Sequence, residues 1–276
     1  MRHAGLPRPE WVLRFGRFPL SRVLERWLLD LQDADHLLVA ALGEWPDPLW
    51  RSKILLRGDP LACVLALVPL CRPASAEFLA AWRVAERAQA TPPAFFEGSI
   101  ARLLIEALPE GAQLFVGNSL AIRAVDAFGG MREKPLRLYA NRGASGIDGN
   151  LATAAGIAAA TGAPTVALVG DQTLLHDATS LALCARHDVR VVVLNNHGGG
   201  IFDHLPFATA LPPELLARGW TAPTPADFAA LASAFGLPHR RAATLADLAA
   251  ALTPLPRGGL VEALIDPRVS KTCFAG

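Results

Sequence analysis

Two short polar motifs follow apolar runs in this chain, and their residue types are suited to binding a metal ion. The run V-A-L-V ends in Gly170-Asp171, and the run R-V-V-V-L ends in Asn195-Asn196, which glycines follow closely. A carboxylate and an amide oxygen are hard ligands of the kind that Mg²⁺ takes in proteins. Either motif alone is more typical of a turn or a helix cap. Their occurrence together favours a Mg²⁺ site that holds a diphosphate.

A strand–helix–strand unit positions these two motifs. Both apolar runs have the length and β-branched content of buried strands, and Ala178–Arg186 between them has the apolar spacing of a helix. A right-handed crossover makes the two strands parallel, so Asp171 and Asn196 emerge at the same edge of the sheet. Open α/β sheets bind their ligands at that edge.

Strands alternate with helices along most of the chain, which predicts an α/β fold with a central parallel sheet and helices on both faces. Residues 1–70 contain a β-α-β opening without a glycine fingerprint, and they predict a partial Rossmann-like domain. A segment rich in proline and small residues follows and predicts a boundary. Residues 71–276 then form the second domain, which carries both motifs.

Composition and charge exclude several classes of protein. The chain has 276 residues, 52% of them hydrophobic, and a net charge of +1 without a basic block, which disfavours nucleic-acid binding. The N-terminus lacks the apolar core of a signal peptide, and no apolar run is long enough to span a membrane. The 4 cysteines are scattered, which predicts free, mostly buried thiols in a reducing cytoplasm. Neither a P-loop motif nor G-x-S-x-G occurs.

Four segments of the chain together resemble one family. They are F-V-G-N-S-L-A-I-R from Phe115, N-R-G-A-S-G-I-D-G from Asn141, G-D-Q-T from Gly170 and N-N-H-G-G-G-I-F from Asn195. The sequence resembles the thiamine diphosphate-dependent enzymes, and among them the 2-succinyl-5-enolpyruvyl-6-hydroxy-3-cyclohexene-1-carboxylate synthases of menaquinone biosynthesis. The second segment is characteristic of those synthases. The resemblance extends from about residue 9 to the end of the chain.

The resemblance implies a metal site, a cofactor site and a substrate site. The implied Mg²⁺ ligands are Asp171, Asn196 and the carbonyl of Gly198, with the carbonyl of His197 as the alternative. The implied thiamine diphosphate contacts are Gly146, Ile147, Gly170, Gln172, Thr173, Ile201 and Phe202. The implied substrate-binding residues are Ser119, Arg123 and Arg142.

The chemistry of the proposed substrate-binding residues can also be interpreted without the resemblance. Guanidinium groups are suited to binding carboxylates, although an arginine outside a motif is more often a solvated surface charge. Ser119 precedes a predicted helix that begins at Leu120, so the alternative role for this residue is that of the helix N-cap, and the two roles are compatible.

The activity that the resemblance implies is decarboxylation of 2-oxoglutarate and 1,4-addition of the succinyl unit to isochorismate. In the family, an N-terminal pyrimidine-binding domain supplies the glutamate that activates the cofactor. No residue here matches that glutamate, so no catalytic residue is assigned, and the chain alone is expected to be inactive. It is expected to form homo-oligomers or to need a partner chain that carries the missing domain. The alternatives are a non-catalytic remnant or scaffold subunit, and another thiamine diphosphate-dependent 2-oxoacid carboligase or decarboxylase.

Overall fold

The computed structural model describes residues 6–41, 45–87, 94–252 and 258–275. The chain forms two compact units, Met1–Ala90 and Thr91–Gly276. The division therefore lies after Ala90, whereas the sequence predicts a domain boundary after residue 70. The helix that follows residue 70 belongs to the first unit, because its Trp82 packs edge-to-face on Trp27 with ring centroids 5.4 Å apart.

A three-stranded parallel sheet in the order β1-β2-β3 forms the first unit together with three helices. Its core centres on Trp27, Leu28 and Leu31, on the apolar side of the first helix and just after it. That helix begins after Ser21, whose Oγ accepts the N–H of Leu24. The elements are β1 (Trp11–Phe15), α1 (Arg22–Asp30), β2 (Asp35–Ala40), β3 (Ser52–Arg57), α2 (Pro60–Leu67), a 3₁₀ turn (Val68–Leu70) and α3 (Ala76–Arg87).

The second unit is built on a six-stranded sheet in the order β5-β4-β6-β7-β9-β8, with every pair parallel. Its strands are β4 (Gln113–Val116), β5 (Arg137–Tyr139), β6 (Thr165–Gly170), β7 (Arg190–Asn195), β8 (His239–Ala242) and β9 (Gly259–Leu264). Its α-helices are α4 (Glu97–Ala107), α5 (Leu120–Phe128), α6 (Asn150–Thr161), α7 (Asp171–His176), α8 (Leu181–Arg186), α9 (Pro213–Leu216), α10 (Phe228–Ala234), α11 (Leu245–Leu252) and α12 (Pro267–Ala275).

Helices cover both faces of the six-stranded sheet, which confirms the predicted fold class. Along β4, Leu114 and Val116 join the core under α4, α5 and α11, while Phe115 between them joins the core under α6, α8 and α10. This alternation follows from the two-residue period of a strand. Because both faces are buried, the central strands contain continuous apolar runs, as in the V-A-L-V of β6.

Several differences from the sequence prediction concern helices and an edge strand. The predicted helix Ala178–Arg186 consists of a 3₁₀ turn, Ala178–Ser180, and then α8, and the additional helix α7 begins at Asp171 itself. Strand β8 and the helices α2 and α12 were not predicted. Strand β8 lies at the sheet edge and reads H-R-R-A, so it lacks the apolar run of a buried strand.

The described part of the chain contains no helix that is both long and apolar enough to cross a membrane. All four cysteines are free, as predicted. The expectation that most are buried is wrong: Cys184 is buried, Cys63 and Cys273 are partly buried, and Cys71 is exposed. Of the four, Cys184 alone is a buried member of a hydrophobic core.

Candidate cofactor site

The two polar motifs meet at the point where the order of the central strands reverses. Strand β5 follows β4 in the chain and pairs on one side of it, whereas β6 pairs on the other side. Loops that leave the carboxyl ends of β4 and β6 therefore diverge and open a crevice, where doubly wound sheets bind ligands. Ser119 follows β4, Asp171 follows β6, and Asn196 follows the adjacent β7.

Asp171 links the end of β6 to the loop after β7. The Gly198 N–H donates to Oδ2 of Asp171 at 2.7 Å, and the Gln172 N–H donates to Oδ1 at 2.7 Å. The side chain is buried, and no basic residue of the described chain forms a salt bridge with it. Burial raises the pKa of Asp171 to about 6, against the opposing effect of the two N–H donors.

A glutamate that sequence reasoning missed holds the Asn196 side chain from behind. Nδ2 of Asn196 donates to Oε1 of Glu97 at 2.7 Å, and Glu97, in the first turn of α4, is completely buried. An acidic residue in the first turn of a helix is ordinarily explained by the helix dipole. The sequence therefore contained no signal that distinguished Glu97 from such a residue.

The glycine loop after Asn196 has a backbone geometry that leaves little room at its glycines for side chains larger than hydrogen. Gly198 has φ +134°, and a Cβ there would lie 2.3 Å from the carbonyl oxygen of Thr221. A Cβ on Gly200 would lie 2.7 Å from Nδ2 of Asn196. His197 adopts φ 64°, the left-handed region that residues other than glycine seldom occupy. The loop thus wraps closely around the Asn196 amide.

A cavity brings most of the predicted site residues together. Its lining contains Ser119, Ile147, Gly170, Asp171, Gln172, Thr173, Asn196, Gly198 and Ile201. The remaining members are Asn118, Leu120, Ala121, Leu194, Gly199 and Gly200. Four predicted site residues do not line it: Arg123, Arg142, Gly146 and Phe202.

Asn118 connects two of those four residues to the cavity wall. Its Oδ1 accepts from Nη1 of Arg142 at 2.7 Å, and its Nδ2 donates to the carbonyl oxygen of Gly146 at 2.6 Å. Asn118 is buried and directly follows Gly117 at the end of β4. Sequence reasoning missed this residue, although it lies within the F-V-G-N-S motif and its place just after a strand was a usable signal.

Ser119 does not cap the following helix. It adopts φ 67° and ψ −131°, and its side chain makes no capping hydrogen bond, so the predicted capping role is wrong. Its backbone carbonyl accepts from Nη1 of Arg123 at 2.8 Å. A non-glycine residue in this conformation stores strain, which concentrates at functional sites. Phe202, also outside the cavity lining, packs against Trp220 with ring centroids 5.4 Å apart.

The donor set at the bottom of the cavity fits a divalent cation that carries a diphosphate. The described residues contain no group of three or more His, Cys, Asp or Glu arranged for a metal, so a soft or imidazole-rich site is not formed there. Asp171 contributes a carboxylate, and Asn196 has an oxygen that accepts no hydrogen bond from the described residues. With the Gly198 carbonyl, these are the hard oxygen atoms that Mg²⁺ prefers.

Comparison with known proteins agrees with this chemistry. Residues 124–259 match the family described as thiamine pyrophosphate enzyme, C-terminal TPP binding domain. The 2-succinyl-5-enolpyruvyl-6-hydroxy-3-cyclohexene-1-carboxylate synthase of Dechloromonas aromatica (strain RCB) is 44% identical over 241 residues, covering 87% of this chain and 43% of that protein. The synthase of the same name from Myxococcus xanthus (strain DK1622) is 39% identical over 96% of this chain and 48% of that protein.

The chain thus spans slightly less than half the length of the relatives that it matches. The synthase from Synechococcus sp. (strain JA-3-3Ab) shows the same proportion, with 38% identity over 94% of this chain and 45% of that protein. The matched family model, the parallel α/β fold and the similarity to these synthases all agree. This chain belongs to the thiamine pyrophosphate-dependent enzyme family and carries its C-terminal cofactor-binding domain.

Proposed function

We propose that this chain is the C-terminal part of a 2-succinyl-5-enolpyruvyl-6-hydroxy-3-cyclohexene-1-carboxylate synthase that acts in the cytoplasm in menaquinone biosynthesis. The proposed reaction decarboxylates 2-oxoglutarate and adds the succinyl unit in 1,4 fashion to isochorismate. The observation that carries the proposal is the meeting of Asp171, Asn196 and Gly198 at the reversal point of the sheet. The names and the extent of similarity of the relatives support the choice of substrates.

The metal end of the site depends on backbone as well as side chains. Asp171, Asn196 and the Gly198 carbonyl are proposed to hold Mg²⁺, which neutralises the diphosphate. Gly170, Gln172 and Thr173 line the same cavity and would contact the diphosphate oxygens. Thiamine diphosphate, when bound, supplies the electron sink for decarboxylation, while the protein supplies position and electrostatics.

The organic end of the cofactor would lie against apolar side chains. Ile147 and Ile201 line the cavity and are proposed to exclude water from the thiazolium side. Phe202, fixed against Trp220, would extend this apolar wall. The Gly146 carbonyl, already held by Asn118, is proposed to contact the aminopyrimidine.

Substrate carboxylates are proposed to bind at Ser119, Arg123 and Arg142. Arg142 does not line the cavity but donates to Asn118, which does, and Arg123 donates to the Ser119 carbonyl. Fork-shaped guanidinium groups are suited to the dicarboxylates 2-oxoglutarate and isochorismate. The activating glutamate is not assigned to any residue of this sequence, so we propose that a pyrimidine-binding domain outside these residues, such as one on a partner chain, completes the site. Homo-oligomerisation is the other association that we propose.

Calorimetry with thiamine diphosphate and Mg²⁺ tests the cofactor part of the proposal. The wild-type chain should bind the pair, and Asp171→Ala should abolish binding. Asp266→Ala is the matched control, because it removes an exposed carboxylate that pairs with Arg268 and should leave binding intact. Absence of binding by the wild-type chain would favour the non-catalytic alternative.

Reconstitution tests the reaction. The chain is mixed with a candidate chain that carries the pyrimidine-binding domain, and 2-oxoglutarate or pyruvate is supplied with isochorismate. Product from 2-oxoglutarate, lost with Asp171→Ala, is the expected result. Product from pyruvate but not from 2-oxoglutarate would assign the chain to a different 2-oxoacid carboligase.

A further inference from the structure

The neighbouring asparagines Asn195 and Asn196 each donate to a buried glutamate, but the two glutamates differ in their surroundings. Asn195 Nδ2 donates to Oε1 of Glu262 at 2.7 Å, and Asn196 Nδ2 donates to Oε1 of Glu97 at 2.7 Å. Glu262 also pairs with Arg241 and His239 through Oε2, both at 3.1 Å. The charge of Glu262 is therefore balanced by the protein itself.

Glu97 has no comparable balance. It forms no salt bridge with the described residues, and its Oε2 is buried without a hydrogen-bond partner among them. Asp171, on the other side of the Asn196 loop, is also buried without a salt bridge. Buried carboxylates are ordinarily paired with cations or coordinate metals. The region around Asn196 thus contains two buried carboxyl groups without a salt bridge to the described residues, which is the setting in which proteins ordinarily bind a cation.

The Glu97 contact also fixes the orientation of the Asn196 amide. An ionised carboxylate only accepts hydrogen bonds, so the amide must turn its NH₂ group towards Glu97. The backbone of Gly200 packs against the same amide so closely that a Cβ there would lie 2.7 Å from Nδ2. With Nδ2 committed to Glu97, Oδ1 accepts no hydrogen bond from the described residues and remains available for a cation.

We propose that Glu97 is a positioning residue that orients Asn196 for a divalent cation and contributes negative charge behind it. The inference rests on the proposed function, since it concerns the same Mg²⁺ site. Groups that orient metal ligands from behind typically change metal affinity by about 10–100-fold when they are removed. Glu97 acts through Asn196 and touches neither substrate nor cofactor in this role.

The first test is Mg²⁺ titration by calorimetry in the presence of thiamine diphosphate. Glu97→Ala should weaken Mg²⁺ binding by about 10–100-fold, and Glu97→Gln, whose amide oxygen still accepts from Asn196, should weaken it less. Glu262→Gln is the matched control, because it alters the equivalent contact of Asn195 and should leave Mg²⁺ affinity within about twofold of wild type. Equal Mg²⁺ affinity in wild type and a folded Glu97→Ala protein would overturn the proposal.

A paired substitution keeps the test informative if Glu97→Ala fails to fold. Asn196→Asp places its new carboxylate against the Glu97 carboxylate and should abolish Mg²⁺ binding. The double variant Asn196→Asp with Glu97→Gln has an amide NH₂ group at position 97 that can donate to the new carboxylate, so Mg²⁺ binding should recover. Failure of the double variant to recover binding would contradict the orienting role. If the wild-type chain binds no Mg²⁺ in the presence of thiamine diphosphate, both the proposed function and this inference fail. If the wild-type chain binds Mg²⁺ and the Glu97 variants bind it equally well, this inference alone fails.

Discussion

The Gly198 N–H lies 2.7 Å from Oδ2 of Asp171 and joins the loop after β7 to the end of β6. This bond brings together the two motifs that the sequence singled out. Within the same loop, the Gly198 carbonyl accepts from the Gly200 N–H at 2.8 Å. The local structure of the site therefore depends on the backbone of a glycine as much as on acidic and amide side chains.

Gly198→Ala should damage both the stability and the proposed cofactor site. An alanine would have to hold φ +134° with its Cβ 2.3 Å from the Thr221 carbonyl oxygen. Strain of this kind costs about 1–3 kcal/mol, and relief of the clash would move the loop away from Asp171. Denaturant unfolding should show the loss of stability, and calorimetry with Mg²⁺ and thiamine diphosphate should show the loss of binding.

Gly156→Ala is the control for this substitution. Gly156 lies inside helix α6, and a Cβ there meets nothing within 4 Å. Alanine is favoured over glycine in a helix interior by roughly 0.5–1 kcal/mol, so the control should be slightly stabilised and should keep its binding. Similar behaviour of the two variants would mean that the Gly198 backbone is not constrained as described.

Asn118→Ala should loosen the loop 143–149. The substitution removes the acceptor for Arg142 and the donor to the Gly146 carbonyl at once. Leaving such partners unpaired costs about 1–3 kcal/mol. Hydrogen exchange read by mass spectrometry should show faster exchange across the loop, and unfolding should report the lower stability.

Asn118→Asp separates the two contacts. A carboxylate still accepts from Arg142, but it turns an oxygen towards the Gly146 carbonyl and repels it. We expect faster hydrogen exchange in the loop than in wild type. The side-chain resonance of Arg142, followed by NMR, should change less in this variant than in Asn118→Ala. Loop protection that stays at the wild-type level in both variants would show that other contacts hold the loop.

The sequence predicted the parts of the fold whose signal is local. Strands β6 and β7 were recognisable because both faces are buried and the central four positions of each strand are apolar. Strand β8 was not, because an edge strand with two exposed arginines has no such run. The assignment of α3 to the first unit also depends on a tertiary contact, between Trp27 and Trp82.

The residues of the site likewise divide into those that local sequence predicts and one that only a long-range contact reveals. Asp171 and Asn196 were predictable, because each directly follows an apolar strand and the βαβ rule places both at one edge. Glu97 lies 99 positions from Asn196 along the chain. No periodicity or short motif connects the two residues, and only the folded structure shows that one holds the other.

The stability of the metal-free protein should fall as pH rises through the range in which Asp171 ionises. Burial raises the pKa of Asp171 from 3.8 to about 6. Below pH 3.8 the carboxyl is protonated in both the folded and the unfolded chain. Between these values the folded chain keeps a proton that the unfolded chain has lost, so the free energy of unfolding decreases with rising pH. Above about pH 6 the whole contribution, about 3 kcal/mol, has been lost.

Denaturant unfolding of wild type and Asp171→Asn at several pH values between 4 and 7.5 measures this contribution. The variant carries no ionisable group at this position, so its stability should decline less over that range than that of wild type, whatever its absolute stability. Asp266→Asn is the control, because that carboxyl lies on the surface beside Arg268, which holds its pKa below the usual value. If the free energy of unfolding declines identically in wild type and Asp171→Asn, Asp171 ionises as readily in the folded chain as in the unfolded one. Burial of Asp171 would then impose no cost that a bound cation relieves.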